Sequence, residues 1–479
     1  MSSDAQGTFM ADGSASESGS LTRLHSPQRS ALVAARPRLN LIGYATANVG
    51  LGVAVRELAR AAMARGFDVA LLDLDTGLGP GRKEAAGDLA SLIVDSPDRL
   101  PPGINIFVMS PPYLVEWLEN SGELVGLLER PDCTNVMFAY WELPVLPRPW
   151  ARVLEMFDAV VAPTGYIEST LDRTLAGTRV LRGLQPIDIP PGIVADRARF
   201  GLPADAFVAL ASFDPLSDTE RKNPEAAIAA FLRAFRHDAR ARLVVKLNVP
   251  ASGYASEKIN REILKPLVDR LRADERTIVI AEALAYRDVL SLYASADAYI
   301  SLHRAEGLGL GLLESMALGK PVVATGWSGN MAFMSLSNAC PVRHALVPMM
   351  STHYAYTRDM KGLSPFWAEP DIEDAALWLR RLAADPALRA SIGSQARERF
   401  LRYQTEAAGL GFLDDLVALR EHATAAADAL PRSQRRACVV LLQRQLRVAR
   451  MTHWKRLTSL VTEPFGRHIG WRFGATRNS

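Results

Sequence analysis

Blocks of apolar residues alternate with amphipathic stretches along the chain, and this pattern predicts strands and helices in regular succession. An apolar run at 39–44 predicts a buried strand, and the 3.6-residue apolar period at 53–65 predicts a helix. A glycine-containing loop at 48–52 joins them, and a second apolar run at 67–73 predicts the next strand. Such βαβ units build parallel sheets with right-handed crossovers. The pattern therefore predicts an α/β protein.

The succession pauses once and then starts again, which predicts two α/β domains. Pro186, Pro190 and Pro191 mark a linker, and an apolar run at 207–212 opens the second series. The predicted domains are therefore residues 38–185 and 186–405, followed by a helix at 406–430 that returns towards the first domain. Ligands of doubly wound sheets bind at the carboxyl ends of the strands.

The two ends of the chain differ from its body. Residues 1–37 are rich in Ser, Gly and Ala and lack the apolar core of a secretion signal, which predicts a disordered leader. Residues 431–479 contain eleven Lys or Arg and one acid, with Val439, Leu442 and Leu446 on one helical face. This basic amphipathic helical tail predicts binding to an anionic membrane surface. The alternative is packing on the body or on a protein partner. No nucleic acid is expected, because no recognition motif accompanies the charge.

Composition excludes several classes of protein. The chain has 479 residues and three widely separated cysteines, which argues against a disulfide framework or a zinc site and favours a reducing compartment. No apolar run approaches the ~18 residues of a membrane span. These features predict a cytoplasmic protein, which the basic tail would hold at the inner face of a membrane.

The densest candidate chemistry lies at 303–321, between two predicted strands. Glu306 and Glu314 are separated by seven residues, and the turn between them opens a short predicted helix. A helix N-terminus exposes unpaired N–H groups and suits a phosphate, while glycine lets a ligand approach the backbone. The predicted turn residues are Gly307, Leu308 and Gly309. Two carboxylates around such a turn can bind hydroxyl groups on either side of a diphosphate, which is the arrangement in a nucleotide-sugar. The alternative is that both glutamates merely favour the start of the helix.

This segment resembles the Glu-x7-Glu motif of the retaining GT-B glycosyltransferases of family 4. The sequences Trp-Ser-Gly-Asn at 327–330 and Trp-Ala-Glu-Pro-Asp at 367–371 resemble a bacterial branch associated with mannosyl transfer in surface polysaccharide assembly. The resemblance covers roughly residues 38–420. It implies two Rossmann-like domains facing each other across a cleft, a nucleotide-diphosphate sugar as donor, and a glycan or lipid-linked acceptor. It implies no metal and no other cofactor.

Arg221 and Lys222 lie just before a predicted helix at 224–236. Two cations beside a helix N-terminus can bind a diphosphate. In the family, an arginine and a lysine bind the donor diphosphate. Lys222 aligns with that lysine, whereas the usual place of the arginine holds Asp214, so Arg221 is the candidate substitute. The alternative is a solvated surface pair.

The first domain contributes Glu142, at the end of a predicted strand where many family members have a histidine. A carboxylate here suits proton acceptance from the acceptor hydroxyl, or stabilisation of an oxocarbenium-like transition state. The alternative is a structural pair with Arg148 or Arg152. Gly50 and Gly52 resemble the family's first-domain loop, which packs against the diphosphate.

Lys246 and His303 complete the candidates. Lysines are rarely buried without a partner, so Lys246 in a predicted strand suggests a phosphate. His303 is a candidate ligand of the sugar or phosphate, or alternatively a structural histidine at a strand end.

The leading interpretation is a hexosyltransferase that uses same-face substitution, with GDP-mannose as the first donor suggested by the resemblance. Glu306 would hold donor-sugar hydroxyls, Glu314 the ribose, and Lys222 with Arg221 the leaving diphosphate. A nucleotide-sugar 2-epimerase of the same fold and a non-catalytic sugar-binding scaffold are the alternatives.

Overall fold

The computed structural model describes most of the chain between the predicted leader and the predicted tail. The described residues are 37–74, 86–215, 217–247, 265–282 and 284–425. Residues 1–36 of the leader and the whole basic tail at 431–479 therefore lie outside them. No helix within these ranges is long and apolar enough to cross a membrane.

In the described part of the first domain, seven parallel strands form one sheet, in the order β3-β2-β1-β4-β5-β6-β7. The strands are β1 (Leu39–Gly43), β2 (Val69–Asp73), β3 (Ile93–Val94), β4 (Gly103–Met109), β5 (Cys133–Ala139), β6 (Ala159–Ala162) and β7 (Arg179–Arg182). The helices are α1 (Gly50–Ala64), α2 (Pro111–Asn120), α3 (Gly122–Leu128), α4 (Arg148–Leu154) and α5 (Gly165–Thr174), with 3₁₀ turns at Gly87–Leu92 and Pro97–Arg99.

The described residues of the second domain form a similar sheet of six parallel strands, in the order β10-β9-β8-β11-β12-β13. The strands are β8 (Phe207–Phe213), β9 (Ala241–Leu247), β10 (Thr277–Ile280), β11 (Ala298–Ser301), β12 (Val322–Thr325) and β13 (Cys340–Val342). The helices are α6 (Thr219–Lys222), α7 (Pro224–Ala234), α8 (Lys265–Arg272), α9 (Tyr286–Ser295) and α10 (Leu310–Ala317), with a 3₁₀ turn at Gly329–Ala332. The predicted pair of parallel-sheet domains is confirmed.

Helices cover both faces of each sheet, which explains why the strands are almost continuously apolar. All seven residues of β4 are buried. In each sheet the strand order reverses once, between β1 and β4 and between β8 and β11. Loops diverge at such a switch point and leave a crevice that binds ligands.

Two long helices lead the chain back from the second domain to the first. After α12 (Ile372–Ala384), α13 (Pro386–Ala408) packs on the second sheet through residues such as Tyr403. Then α14 (Gly411–Ala425) packs on the first sheet, where the Phe412 ring lies 5.6 Å from the Phe138 ring.

A hairpin of the second domain also reaches the first domain. Strands β14 (His344–Pro348) and β15 (Phe366–Pro370) pair antiparallel, and a short helix, α11 (Tyr354–Thr357), lies between them. We call residues 349–365 the crossing segment. Its residues Ala355, Tyr356 and Met360 are buried in the apolar core of the first domain. The sequence pattern did not predict this element.

One local prediction was wrong. The loop predicted at 48–52 extends only to residue 49, since α1 begins at Gly50. A side chain at Gly52 would place Cβ 2.1 Å from the carbonyl oxygen of Ala47. Glycine is therefore needed at residue 52 because α1 starts directly against the preceding turn.

Candidate active site

Charged side chains gather where the strand order of the second sheet reverses. Arg221 and Lys222 follow β8 on α6, and Glu306 follows β11. The two loops are joined in both directions. Arg304 N–H donates to the carbonyl oxygen of Arg221 at 2.7 Å, and Arg221 Nη1 donates to that of Ala305 at 2.8 Å. The fold thus fixes both cations beside Glu306.

Glu306 is the acidic centre of this cluster. Lys222 Nζ donates to Glu306 Oε1, and Arg221 Nη1 lies 3.5 Å from Oε2. Burial by itself raises the pKa of the Glu306 carboxyl, but Lys222 and Arg221 outweigh it and lower that pKa to about 2. Glu306 is therefore an anion at neutral pH, and its oxygens can accept hydrogen bonds from hydroxyl groups.

The two cations differ in their access to solvent. The Arg221 side chain is 6% exposed and lies between Glu306 and Glu142, whose Oε1 is 4.0 Å from Arg221 Nη2. The Lys222 side chain is 22% exposed. Lys222 is therefore the more accessible cation, and Arg221 is the more constrained one.

The turn after β12 holds the backbone of Glu306 in place. Glu306 N–H donates to Ser328 Oγ at 2.8 Å, and Gly329 N–H donates to the carbonyl oxygen of Glu306 at 2.8 Å. Ser328 has φ 75°, a conformation that favours glycine. A Cβ at Gly329 would lie 1.9 Å from the carbonyl oxygen of Gly307. The sequence motif at 327–330 therefore supports Glu306 by close backbone packing.

Glu314 lies on α10, beyond the glycine-rich turn. Gly309 has φ 95° at the start of this helix, which explains the need for glycine there. Tyr286 Oη donates to Glu314 Oε1 at 3.0 Å. Burial raises the pKa of the Glu314 carboxyl to about 7, against the lowering effect of the Tyr286 hydrogen bond. Its charge therefore changes near neutral pH.

The glycine-rich turn packs against the first domain. Thr164 Oγ1 donates to the carbonyl oxygen of Gly307 at 3.0 Å. A Cβ at Gly50 would lie 3.3 Å from Leu310 Cδ1, whereas Gly52 faces only its own domain. Leu308 is buried in the second-domain core. Of these residues, Gly50 and Gly307 lie at the contact between the domains.

Glu142, after β5, is the first-domain acid of the site. Its Oε2 accepts a hydrogen bond from Tyr356 Oη at 2.9 Å, and its side chain is 17% exposed. The partners of this carboxylate are thus Tyr356 and Arg221, and not Arg148 or Arg152 as considered from the sequence.

Lys246 and His303 have structural partners within the second domain. Lys246 Nζ donates to the carbonyl oxygens of Leu247 at 2.7 Å and Glu282 at 2.9 Å. His303 is fully buried, with its ring nitrogens 3.1 Å from Ser301 Oγ and Asn330 Oδ1. Burial lowers the pKa of His303 to about 4, so its ring is neutral at neutral pH. The geometry matches the structural alternative for His303, and carbonyl oxygens accept hydrogen bonds from Lys246, for which a phosphate partner stays a prediction.

Sequence reasoning missed two tyrosines, Tyr356 and Tyr166, that donate hydrogen bonds to Glu142. Tyr356 bonds its carboxylate, and Tyr166 Oη donates to its main-chain carbonyl at 3.1 Å. The Tyr166 ring in turn lies 5.8 Å from the ring of Trp327. The motif at 367–371 contains most of β15, one strand of the hairpin that carries Tyr356. This motif was the one feature of the sequence that pointed to the hairpin. In the described part of the chain, no group of His, Cys, Asp or Glu is arranged to hold a metal ion.

Comparison with known proteins agrees with this geometry. Residues 218–345 match the family model described as glycosyl transferases group 1, and this range includes Arg221, Lys222, Glu306 and Glu314. None of the curated proteins matches the chain by sequence.

Several solved structures share the architecture. Sucrose-phosphate synthase from Thermosynechococcus elongatus has a TM-score of 0.57 and 16% identity, over 82% of this chain and 100% of that chain. HepE from Anabaena in complex with UDP-glucose has a TM-score of 0.53 and 14% identity, over 81% and 100%. The α,α-trehalose-phosphate synthase (UDP-forming) from Burkholderia vietnamiensis has a TM-score of 0.52 and 12% identity, over 82% and 99%. The chain therefore has the GT-B fold, and the match of residues 218–345 to the glycosyl transferases group 1 model supports glycosyltransferase activity.

Proposed function

We propose that the protein is a retaining glycosyltransferase that moves a hexose from a nucleotide-diphosphate sugar to a glycan or lipid-linked acceptor. The observation that carries this proposal is the contact between Glu306 and Lys222 at the switch point, close to the start of α10. It joins an anion suited to sugar hydroxyls with a cation suited to a diphosphate. Helix N–H groups beside them suit the same diphosphate.

The reaction breaks the bond between the anomeric carbon and a diphosphate oxygen. A bond to the acceptor oxygen forms on the same face of the sugar, and the acceptor proton passes to the departing diphosphate. Negative charge grows on the diphosphate as it leaves, so a fixed cation lowers the barrier. We assign this role to Lys222, and its contact with Glu306 supports the assignment. Arg221 Nε, buried and without a hydrogen-bond partner among the described residues, is a second donor for a diphosphate oxygen.

The carboxylates divide the remaining work. Glu306 accepts hydrogen bonds from donor-sugar hydroxyls, and Glu314 binds the ribose of the nucleotide. Glu142 lies on the first-domain side, where its negative charge stabilises an oxocarbenium-like transition state. No metal is required in this scheme, since Lys222 and Arg221 supply the positive charge.

The proposal also names a donor and a cellular setting. GDP-mannose is the first donor to test, on the resemblance of the motifs at 306–314, 327–330 and 367–371. UDP-hexoses come next, because HepE of the same fold is in complex with UDP-glucose. We place the reaction in surface polysaccharide assembly at the cytoplasmic face of a membrane, with residues 431–479 on the anionic lipid surface.

A thermal-shift and calorimetric panel of GDP-, UDP-, ADP- and dTDP-sugars, without added metal, tests the donor site. One nucleotide-sugar is expected to stabilise the wild type and to lose affinity at least tenfold in Lys222→Ala. Lys265→Ala is the matched control, since Lys265 pairs with Asp269 on α8 and lies outside the cluster. Equal binding by both variants refutes the assignment of Lys222, and no binding to the wild type refutes the donor class.

Product analysis then tests the reaction. Transfer of the hexose to an acceptor, with retention of the anomeric configuration, is the expected result. Isomerisation of the nucleotide-sugar without an acceptor would identify a 2-epimerase instead, and binding without any turnover would identify a scaffold.

A further inference from the structure

A segment of the second domain completes the first-domain side of the candidate site. The Tyr356 side chain, from the crossing segment, is buried beside Glu142 and donates its hydroxyl to Glu142 Oε2 at 2.9 Å. The Tyr356 ring stacks on that of Trp141, at 5.7 Å between centroids and 27° between planes. The Arg221 guanidinium lies 5.7 Å from the centroid of the same ring. One side chain therefore contacts the first-domain acid and the second-domain cation.

Other contacts anchor the crossing segment without touching Glu142. Trp150 Nε1 donates to Asp359 Oδ2 at 2.9 Å, and Arg358 pairs with Glu119. Ser351 Oγ donates to Asp218 Oδ2 at 2.6 Å. Asp218 also accepts the N–H of Glu220 and so caps α6, the helix of Arg221 and Lys222. These anchors hold the segment in place, so the Tyr356 hydroxyl is available for a separate task.

That task follows from the distance between Glu142 and Arg221. Their closest atoms are 4.0 Å apart, which is longer than a direct charge-assisted hydrogen bond of about 2.7–2.9 Å. Two unlike charges in a largely buried setting attract strongly, so an unrestrained Glu142 would turn towards Arg221. The hydrogen bond from Tyr356 holds the other carboxylate oxygen and opposes this collapse.

We propose that Tyr356 is a positioning residue, whose hydroxyl keeps Glu142 directed at the reacting sugar and out of a closed ion pair with Arg221. This inference rests on the proposed glycosyl transfer and adds a residue from outside the Glu-x7-Glu motif. The reacting half of the first domain is then complete only when the crossing segment of the second domain is docked on it.

The decisive variant is Tyr356→Phe, which keeps the ring on Trp141 and removes only the hydroxyl. We expect kcat to fall by about 10- to 100-fold while the donor Kd stays within about twofold, because Glu142 acts on the transition state. In a Glu142→Ala background, the same substitution is expected to change kcat by less than about threefold, since the hydroxyl acts through the missing carboxylate.

Asp359→Asn is the matched control for docking of the crossing segment. It weakens the bond to Trp150 and leaves Tyr356 and Glu142 untouched, so kcat is expected to stay within about threefold of the wild type. An unchanged kcat in Tyr356→Phe, independent losses in the double variant, or an equal loss in Asp359→Asn would each overturn the inference.

Melting temperatures of the same four proteins, wild type, Tyr356→Phe, Glu142→Ala and the double variant, give a readout that needs no nucleotide-sugar. We expect the two shifts to be non-additive, as for groups that share a bond. If the wild type turns over no nucleotide-sugar, the proposed function fails. Additive shifts would then refute the coupling of Tyr356 to Glu142 by themselves, and non-additive shifts would support it.

Discussion

The two sides of the candidate site are built in different ways. The second-domain side takes Lys222, Glu306 and Glu314 from loops and helices around one switch point, within residues 219–317. The first-domain side takes Glu142 from the end of β5 and joins it to Tyr356, 214 positions further along the chain. A motif specifies the positions of Glu306 and Glu314, and Lys222 meets Glu306 because both follow strands at the same switch point. The first-domain arrangement depends on how a distant segment packs.

The two sides of the site also differ in the charges that surround their carboxylates. Glu306 has two cations within 3.5 Å and a pKa lowered to about 2, whereas Glu142 has a neutral hydroxyl as its hydrogen-bond partner and an arginine at 4.0 Å. Preorganised charge gives the largest effects in catalysis. We therefore expect substitutions on the second-domain side to be more damaging.

The largest effect is expected for Glu306→Gln. The amide keeps the shape but loses the charge that faces Lys222 and Arg221, so kcat/KM should fall by about 10³-fold. Steady-state transfer assays measure this loss, and circular dichroism checks that the fold is kept. Glu369→Gln is the matched control. Glu369 lies on the hairpin strand β15 and, like Glu306, pairs with a cation, Arg304. A loss below about tenfold would remove Glu306 from the catalytic site.

The next effect is expected for Gly52→Ala, and it concerns stability. The added Cβ would lie 2.1 Å from the carbonyl oxygen of Ala47 and 2.8 Å from that of Tyr44, so the backbone must move. Overpacking against a rigid backbone should cost about 3 kcal/mol of unfolding free energy. Denaturant unfolding, followed by a first-domain signal, measures it. A cost below about 1 kcal/mol would mean that α1 adjusts freely.

A pH-dependent effect is expected for Glu314→Gln. Because the pKa of the Glu314 carboxyl is raised from 4.5 to about 7, the folded state binds more protons than the unfolded state between these values. The contribution of Glu314 to the free energy of unfolding is thus complete below pH 4.5. It is lost as the pH rises from 4.5 through 7, and the total loss is at most about 3 kcal/mol.

Glutamine is neutral at every pH, so the variant should match the wild type below pH 4.5 and be the more stable protein at pH 8. Denaturation midpoints from below pH 4.5 up to pH 8 give the comparison. Parallel curves for the two proteins would contradict the raised pKa.

The sequence predicted most strands and helices of the two domains, because their signals lie in neighbouring residues. Strands buried on both faces are continuously apolar, and the helix predicted at 224–236 is observed as α7, over Pro224–Ala234. Glu306 and Lys222 meet because both follow strands at one switch point. These features depend on short stretches of chain and on the regular strand order of a parallel sheet.

The remaining features depend on contacts between distant segments. The crossing segment has no apolar period, and its place on the first domain follows from side chains such as Tyr356 and Asp359 meeting Trp141 and Trp150. Likewise, nothing near Arg221 in the sequence indicates that it lies between two carboxylates. The carbonyl oxygens of Leu247 and Glu282, which accept hydrogen bonds from Lys246, also come from two different parts of the chain.

The smallest effect is expected for Gly50→Ala, a substitution at the contact between the two domains. The added Cβ would lie 3.3 Å from Leu310 Cδ1, the end of a flexible side chain that can shift. Alanine also favours the first turn of α1, so the stability should change by less than about 1 kcal/mol. If Gly50 only touches α10, donor affinity should fall by about threefold or less, as calorimetry can measure. A much larger loss of affinity, with the fold intact, would mean that the donor lies against Gly50 itself. The first domain would then bind the diphosphate through this part of the backbone, as the resemblance of Gly50 and Gly52 to the family loop implies.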